Sequence, residues 1–422
     1  MENSAAKAIR NWMIISLVLI LAGLGFYVNQ LMHGLQVTGM NNLVSWGLYI
    51  ITFAFLVGLS AGGLIISSSA YIFKIEKLKQ VAPVGVVVAV ACIIGAAFMI
   101  MADVGHPERV LNILLGGRLT SPIKWDFIVI GIYLLIGLYE CWIFFSNKWR
   151  LEAEEKRERI FAKAAIYSLP IALLVHSITA WIFGLQVGRP FWNNGLMAPI
   201  FISSAVVSGL GLLLLIAFLG RRFGISGLDE ENVNTLSKIL VGFILFDLFL
   251  FFCELFTIAY AGGTSPARAA ALILTGKFAP LLWFEIIVGM LIPLFILLKK
   301  NVAKSPGLVG LAGLLVMIAV FLKRINIILP GFLTQNIHNA PGTSTGRFVE
   351  STGIFFEAAE NSFETIASYM PTMNELVITI GGLSLVAFII LFGVGLVLKM
   401  DNKVVAGMRA VGSKNLSSGV TE

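Results

Sequence analysis

The sequence predicts an all-α polytopic membrane protein of about ten transmembrane helices, and three observations predict it. Of 422 residues, 58% are apolar and 13% charged, with a mean hydropathy of +0.92, against roughly 25% charged in a soluble domain. Apolar runs of about 18 to 25 residues, the length that crosses a bilayer, recur along the whole chain. Lysines and arginines gather in alternate loops between those runs. One aqueous core cannot hide this much apolar surface, so lipid must solvate it, which excludes a soluble enzyme and a disordered chain alike. The cysteines, Cys92, Cys141 and Cys253, all lie inside apolar runs, which excludes a disulfide scaffold. The net charge of +7 is read as basic loops against an anionic membrane surface, with no nucleic-acid partner.

The spans are expected near 12–30, 45–73, 82–104, 122–146, 163–185, 197–219, 236–262, 279–298, 307–329 and 376–398. The first follows Lys7 and Arg10 as a signal peptide would, but its apolar stretch is long and no small-x-small cleavage site follows, so it is kept as a mature helix. Lys74, Lys77 and Lys79 separate the second span from the third. Ser121-Pro122 opens the fourth, and the run Lys148, Arg150, Lys156, Arg157, Arg159, Lys163 closes it. Arg221/Arg222 end the sixth and Lys299/Lys300 the eighth; the ninth contains Lys323 and Arg324. Of the 30 Lys and Arg, 21 fall on the side holding both termini, 7 on the other and 2 inside a span. The positive-inside rule therefore predicts cytoplasmic termini. An outer loop, roughly 330–375, carries Glu350, Glu357, Glu360, Glu364 and Glu375. It is long enough to cap a site or dock a partner, and it reads equally as a solvated amphipathic segment.

Two outer loops read alike. Asn112-Ile-Leu-Leu-Gly-Gly-Arg-Leu-Thr-Ser-Pro-Ile-Lys-Trp125 and Ala270-Ala-Leu-Ile-Leu-Thr-Gly-Lys-Phe-Ala-Pro-Leu-Leu-Trp283 both place glycine and a base before Pro-x-x-Trp. The acids that follow, Asp126 and Glu285, then sit about one to two turns below the outer surface. A repeat four spans apart keeps one orientation. It predicts parallel four-helix bundles over residues 1–150 and 151–300, with two further helices, the long loop and a short cytoplasmic tail over 301–422. Chance likeness of two loops is the competing explanation.

Ionisable residues within a span are costly and functional by default. Asp126, His176, Glu254, Glu285, Lys323 and Arg324 fall in the outer half, Asp247 near the middle and Glu140 in the inner half; Asn29, Gln30, His33, Asp103, His106 and Arg109 add polar groups at the outer rim. The pattern describes a polar cavity open to the outside above an apolar floor. Asp247 and Glu254, seven apart, share a helix face and can line one path. The bland alternative pairs each acid with Lys323 or Arg324 to tie helices together. His176 is either a packing element or a proton acceptor.

A membrane haem needs two histidines on facing helices. Of the four histidines, His33, His106 and His338 lie in or near outer loops, and the cysteines lack C-x-x-C spacing, so haem, iron–sulfur and metal sites are not expected in this chain. There is no Walker motif, and no G-x-G-x-x-G after a strand. An electron carrier here has to be diffusible and lipid-soluble, with the next acceptor in another subunit. Quinone chemistry suits the residues present: quinol oxidation releases two protons and two electrons, and a headgroup needs acids or bases at both ring oxygens. His106 with Asp126, and His176 nearby, supply candidate acceptors.

Several segments resemble the NrfD/PsrC-type quinone-interacting membrane subunits, in the ten-helix form that includes HybB and the membrane subunits of alternative complex III. They are Ser45-Trp-Gly-Leu-Tyr49 with Gly58 and Ser60-Ala-Gly-Gly63, Asp103-Val-Gly-His-Pro-Glu-Arg109, Ser121-Pro-Ile-Lys-Trp-Asp126, Leu282-Trp-Phe-Glu285, Lys323-Arg-Ile-Asn326 with Pro330-Gly331, and Tyr369-Met-Pro-Thr-Met-Asn-Glu375. Their order covers nearly the whole chain. The resemblance implies a subunit of a respiratory quinol oxidoreductase in the cytoplasmic membrane of a bacterium or archaeon, inactive alone and without a prosthetic group. It implies electron exchange between a quinone, such as menaquinone, near the outer face and a ferredoxin-like iron–sulfur subunit docked there. A further catalytic subunit follows, whether molybdopterin enzyme, hydrogenase or multihaem cytochrome. The D-x-G-[R/H]-P segment points to Asp103, His106 and Arg109, and S-P-x-x-W-D to Asp126 with Trp125. Asn29 and His33 join the quinone-binding set; Glu140, Asp247, Glu254, Glu285, Lys323 and Arg324 form a candidate proton path.

Two other classes fit part of the pattern. A secondary transporter also uses intramembrane acids and repeats, although alternating access favours a midplane site and an inverted repeat. A passive anchor has no use for buried acids.

Overall fold

In hydrocarbon each backbone N–H and C=O must be paired within its own segment, so an apolar run of this length has to become a helix. The computed structural model describes residues 2–41, 44–146, 154–189, 191–221, 230–261, 264–333, 347–349, 354–356 and 369–417. Among them, ten helices are long and apolar enough to cross a membrane: α1 (Lys7–His33), α2 (Leu48–Ile72), α3 (Ala82–Asp103), α4 (Pro122–Phe145), α5 (Glu158–Gly184), α6 (Met197–Arg221), α7 (Glu230–Ile258), α8 (Ala279–Leu297), α9 (Pro306–Phe332) and α10 (Met373–Leu396). Each coincides with a predicted run. The protein is a multi-pass membrane protein. Ten crossings return α10 to the face where α1 begins, here called proximal; the opposite face is distal. His338, Glu350, Glu357, Glu360 and Glu364 lie outside the described residues, as do Lys148, Arg150 and Arg222. A short antiparallel hairpin, Arg347–Val349 with Ile354–Phe356, is the strand pairing among the described residues.

The helices form two four-helix groups and two additional helices. In the first group α2 packs on α3 and α5, and α4 bridges α3 and α5; in the second, α6 packs on α7 and α9, with α8 against α9. The groups meet through α2, which touches α6 and α9, and through α5 against α6. The apolar stretch of α2 is 100% buried and that of α1 only 11%, so α2 is the axis of the molecule and α1 faces lipid. The expected grouping of the first four spans is thus shifted by one helix. α1 pairs with α10, which rests on α3, while α5 completes the first group. The contacts at each interface explain the shift. α5 presents Thr179 and Ser168 to the carboxylates of α4, whereas α1 meets α10 at Gly23 and Gly381, where a Cβ on either would lie 2.8 Å from the other's Cα. Without a hydrophobic drive between helices in lipid, such small-residue contacts decide who packs with whom. The α2–α6 crossing is of the same kind: a Cβ on Gly62 would come within 2.6 Å of Gly209 Cα.

On the proximal face, polar ties run within the first group and, from Lys77 and Gln80, across to the second. Lys79 pairs with Glu76 at 2.8 Å and Glu158 at 3.0 Å, and these hydrogen bonds, Glu76 first, hold its ammonium above the usual lysine range. Lys77 pairs with Glu231, and Asn232 donates to Gln80 at 3.0 Å.

Candidate functional site

The polar side chains gather in the distal halves of the two groups, in matching places. Pro122 sits at the first turn of α4, where its missing N–H costs no hydrogen bond. Asp126 follows one turn later and is 4% exposed. Thr179 of α5 donates to its Oδ1 at 2.7 Å, and the same hydroxyl lies 2.9 Å from the Val175 carbonyl. One hydroxyl proton serves one acceptor at a time. When the carboxylate is charged Thr179 turns to it; when the carboxyl is protonated it donates to Thr179, which turns to Val175. Both protonation states therefore remain hydrogen-bonded. One turn below Thr179 lies His176, 1% exposed, neither ring nitrogen having a polar partner among the described residues.

α8 repeats the plan with different residues. Its first turns are α-helical, but Phe284–Leu291 is a π-helical stretch, a feature often kept at functional sites. Glu285 stands at its start, 2% exposed, and Asn326 of α9 donates to Oε2 at 2.9 Å. Lys323, three residues before Asn326 as His176 is before Thr179, donates to Asp247 of α7 at 2.6 Å. Both side chains of that pair are buried, at 5% and 0% exposure. Glu254, two turns further along α7, accepts a long 3.4 Å bond from Asn194. Glu254, Glu285, Lys323 and Asn326 line a cleft walled by apolar side chains. Arg324 is fully buried at the seam between the groups: it donates to Ser204 at 2.8 Å and lies 4.0 Å over the Phe201 ring. Its next-door lysine thus has an acid partner, whereas Arg324 has a hydroxyl and a π-face. Glu140, towards the proximal side, is bound by Ser168 of α5.

At the distal rim, α1, α2, α3 and α10 are laced together. Gln30 donates to the Ala102 carbonyl at 2.6 Å and accepts from Tyr49 at 2.6 Å and Asn374 at 3.1 Å. Asn29 donates to Asn374 at 3.3 Å. Glu375, expected at the end of the long outer loop, is fully buried, accepting from Gly39 N–H at 2.7 Å and from Tyr369 at 2.6 Å. Burial and this carboxylate push the Tyr369 phenol well above its usual range. Asp103 closes α3 beside this network, its buried Oδ1 without a partner among the described residues.

The other predicted rim residues stand apart. His106 is 68% exposed and pairs with Glu108 at 3.0 Å; Arg109 is 3.7 Å from the same carboxylate. Glu108 is held below the usual carboxylate range, by its own backbone N–H first and by His106 next. His33 bonds the Asn29 carbonyl of its own helix at 2.9 Å, and Trp125 donates to Leu119 at 2.5 Å. Thr179, which bonds Asp126, thus stands three residues from His176 on α5, while His106 pairs with Glu108 at the rim. Thr179, Asn194 and Ser204 were not singled out from the sequence, and Asn326 stood there only as the end of the Lys323-Arg-Ile-Asn326 segment. The shared spacing of His176-x-x-Thr179 and Lys323-x-x-Asn326, each following a repeated acid, was the available signal. Among the described residues, no cluster of three or more His, Cys, Asp or Glu is arranged to ligate a metal.

A family model described as polysulphide reductase, NrfD matches residues 36–336. A Halobacterium salinarum protein named for the membrane subunit of a dimethyl sulfoxide reductase is 32% identical over 91% of this chain and 90% of its own. The Hdr-like menaquinol oxidoreductase integral membrane subunit of Archaeoglobus fulgidus is 29% identical over 90% and 92% respectively. A polysulfide reductase component of Wolinella succinogenes is 28% identical over 69% of this chain and 95% of its own.

Proposed function

The chain belongs to the polysulphide reductase NrfD family, and from that premise we propose that it is the quinone-binding membrane subunit of a respiratory oxidoreductase. It exchanges electrons between a membrane quinol, menaquinol by analogy with the Archaeoglobus relative's name, and an iron–sulfur subunit docked on the distal face. The complex is completed by a separate catalytic subunit. The basic residues on the proximal side orient the distal face outward.

The observation that carries this reading is Asp126, a buried acid that keeps a hydrogen bond through Thr179 whether or not it holds a proton. Quinol oxidation requires each hydroxyl to lose a proton as the ring loses electrons, so an acceptor must be hydrogen-bonded before and after transfer. Asp126 takes one proton. His176, on the same α5 face, is the second acceptor, and Asp103, His106, Arg109 and Trp125 provide the polar route from the rim to water. Electrons then leave at the distal face without crossing the low-dielectric interior. Lys323 neutralises Asp247 in the second group and Ser168 binds Glu140 in the first, a separation that favours proton release at the distal side over a continuous path across the membrane.

The test is Asp126→Asn in the assembled complex, assayed for oxidation of a short-chain quinol. Turnover is expected to fall at least a hundredfold with subunit abundance unchanged. Turnover near that of the unsubstituted complex would remove Asp126 from the site.

A further inference from the structure

The quinone chemistry proposed for the first helix group leaves the cleft in the second without a role. The geometry points to a second headgroup site there: Glu254, Glu285, Lys323 and Asn326 form a pocket for a neutral ring bearing hydroxyl or carbonyl oxygens on an apolar tail, a second quinone-type molecule. This inference rests on the reading of the chain as a quinone-handling subunit, and it adds a binding site, not a second redox reaction.

The lining decides the class of ligand. A cation in the cleft would meet the Lys323 ammonium, and an anion would meet the carboxyls of Glu254 and Glu285. A neutral headgroup meets neither objection. Lys323 uses one N–H on Asp247 and keeps two, which suits a carbonyl oxygen. Asn326 is 5% exposed, lines the cleft, and has an Oδ1 without a partner among the described residues while its Nδ2 holds Glu285; that oxygen suits a hydroxyl. Donor and acceptor side by side fit a ligand oxygen that is a carbonyl when oxidised and a hydroxyl when reduced. Phe251, Leu255, Ile273 and Leu282 supply apolar walls, the lining that an apolar-tailed ligand with a few polar ring groups requires. The matching acid, amide or hydroxyl, and base on α8–α9 and α4–α5 make the cleft a counterpart of the reactive site.

The full-length protein in its native complex, in mild detergent, would be photolabelled with an azido-naphthoquinone carrying a short isoprenoid tail, and the labelled peptides mapped. Two zones are expected, one around residues 103–126 and 176–179, the other around 251–258 and 323–327. Asn326→Leu removes the polar partner, and Ala270→Phe fills the cleft from its rim without touching an ionisable group. Each should reduce labelling of the second zone at least tenfold and leave quinol oxidation within twofold. Labelling confined to the first zone overturns the second site alone, as does second-zone labelling unmoved by both variants. Second-zone labelling displaced by excess phosphatidylethanolamine but not by excess unlabelled naphthoquinol reassigns the cleft to a lipid headgroup and also overturns it. Absence of label from both zones would overturn the quinone reading itself.

Discussion

Replacing Lys323 by Met should be among the most damaging single changes in the second helix group. The lysine ammonium and Asp247 carboxylate lie 2.6 Å apart with side chains 5% and 0% exposed, and Asp247 Oδ1 has no other partner among the described residues. A neutral hydrogen bond between membrane helices averages only about 0.6 kcal/mol. What dominates here is the uncompensated charge left behind, and breaking a buried pair from one side costs about 3–5 kcal/mol. By ordinary scaling that moves the thermal midpoint by on the order of 10 °C. Adding Asp247→Asn removes the orphaned charge, so the double variant should recover most of the loss. The assay is a double-mutant cycle on the purified protein, followed by thermal or detergent unfolding. A Lys323→Met variant within about 1 kcal/mol of the parent would refute the reasoning, as would a double variant no more stable than the single.

Two further outcomes follow from contacts already described. Thr179→Val takes away the hydroxyl bonded to Asp126, a charge-assisted bond worth about 1.5–3 kcal/mol; quinol oxidation should drop more than tenfold at unchanged subunit abundance, and Thr179→Ser should restore it. Failure of the serine to rescue would mean that shape, not the hydroxyl, matters at this position. Gly209→Val drives side-chain atoms into α2, since a Cβ alone would stand 2.5 Å from Gly62 Cα. Overpacking of this kind costs about 1–3 kcal/mol at the contact that joins the two groups, and should appear as lowered yield of intact protein and easier unfolding.

The spans were legible because lipid permits one answer for an apolar run of this length. The depth of Asp126, Glu285 and Lys323 was legible too, since position along a span converts directly to depth. Partnership was not. A helix's sequence gives its polar face but not which neighbour that face meets, so Lys323 could not be assigned to Asp247 over Glu254 or Glu285. The α1–α10 pairing rests on Gly23 and Gly381, and glycine is common in membrane helices whatever their neighbours. Thr179 was silent for a similar reason, and Asn326 stood only as the end of a segment with no role of its own: each gains its role from the acid across the helix interface.

The two helix groups share a plan but differ at one decisive residue, and the difference tells their roles apart. Behind the acid on α4 stands His176; behind the acid on α8 stands Lys323. Lys323 is tolerated because α7 brings Asp247 to it inside the membrane. The corresponding helix of the first group, α3, has no acid before Asp103 at its distal end, and Asp126 is already bonded to Thr179, so a fixed positive charge at 176 would have no acid held for it as Asp247 is held for Lys323, with fully buried Arg324 adding a second cation at the seam. A histidine can sit there neutral and accept a proton only when one is delivered, while a lysine there would be a permanent charge. His176→Lys should therefore destabilise the protein by about the 2.5–3.5 kcal/mol that an unpaired lysine costs at mid-membrane, whereas His176→Gln, neutral and similar in reach, should fold normally and slow quinol oxidation. Normal stability of the lysine variant, measured by the same unfolding assay, would mean that position 176 already sees a counter-charge or water. The distinction between a switchable base in the first group and a fixed ion pair in the second would then fall.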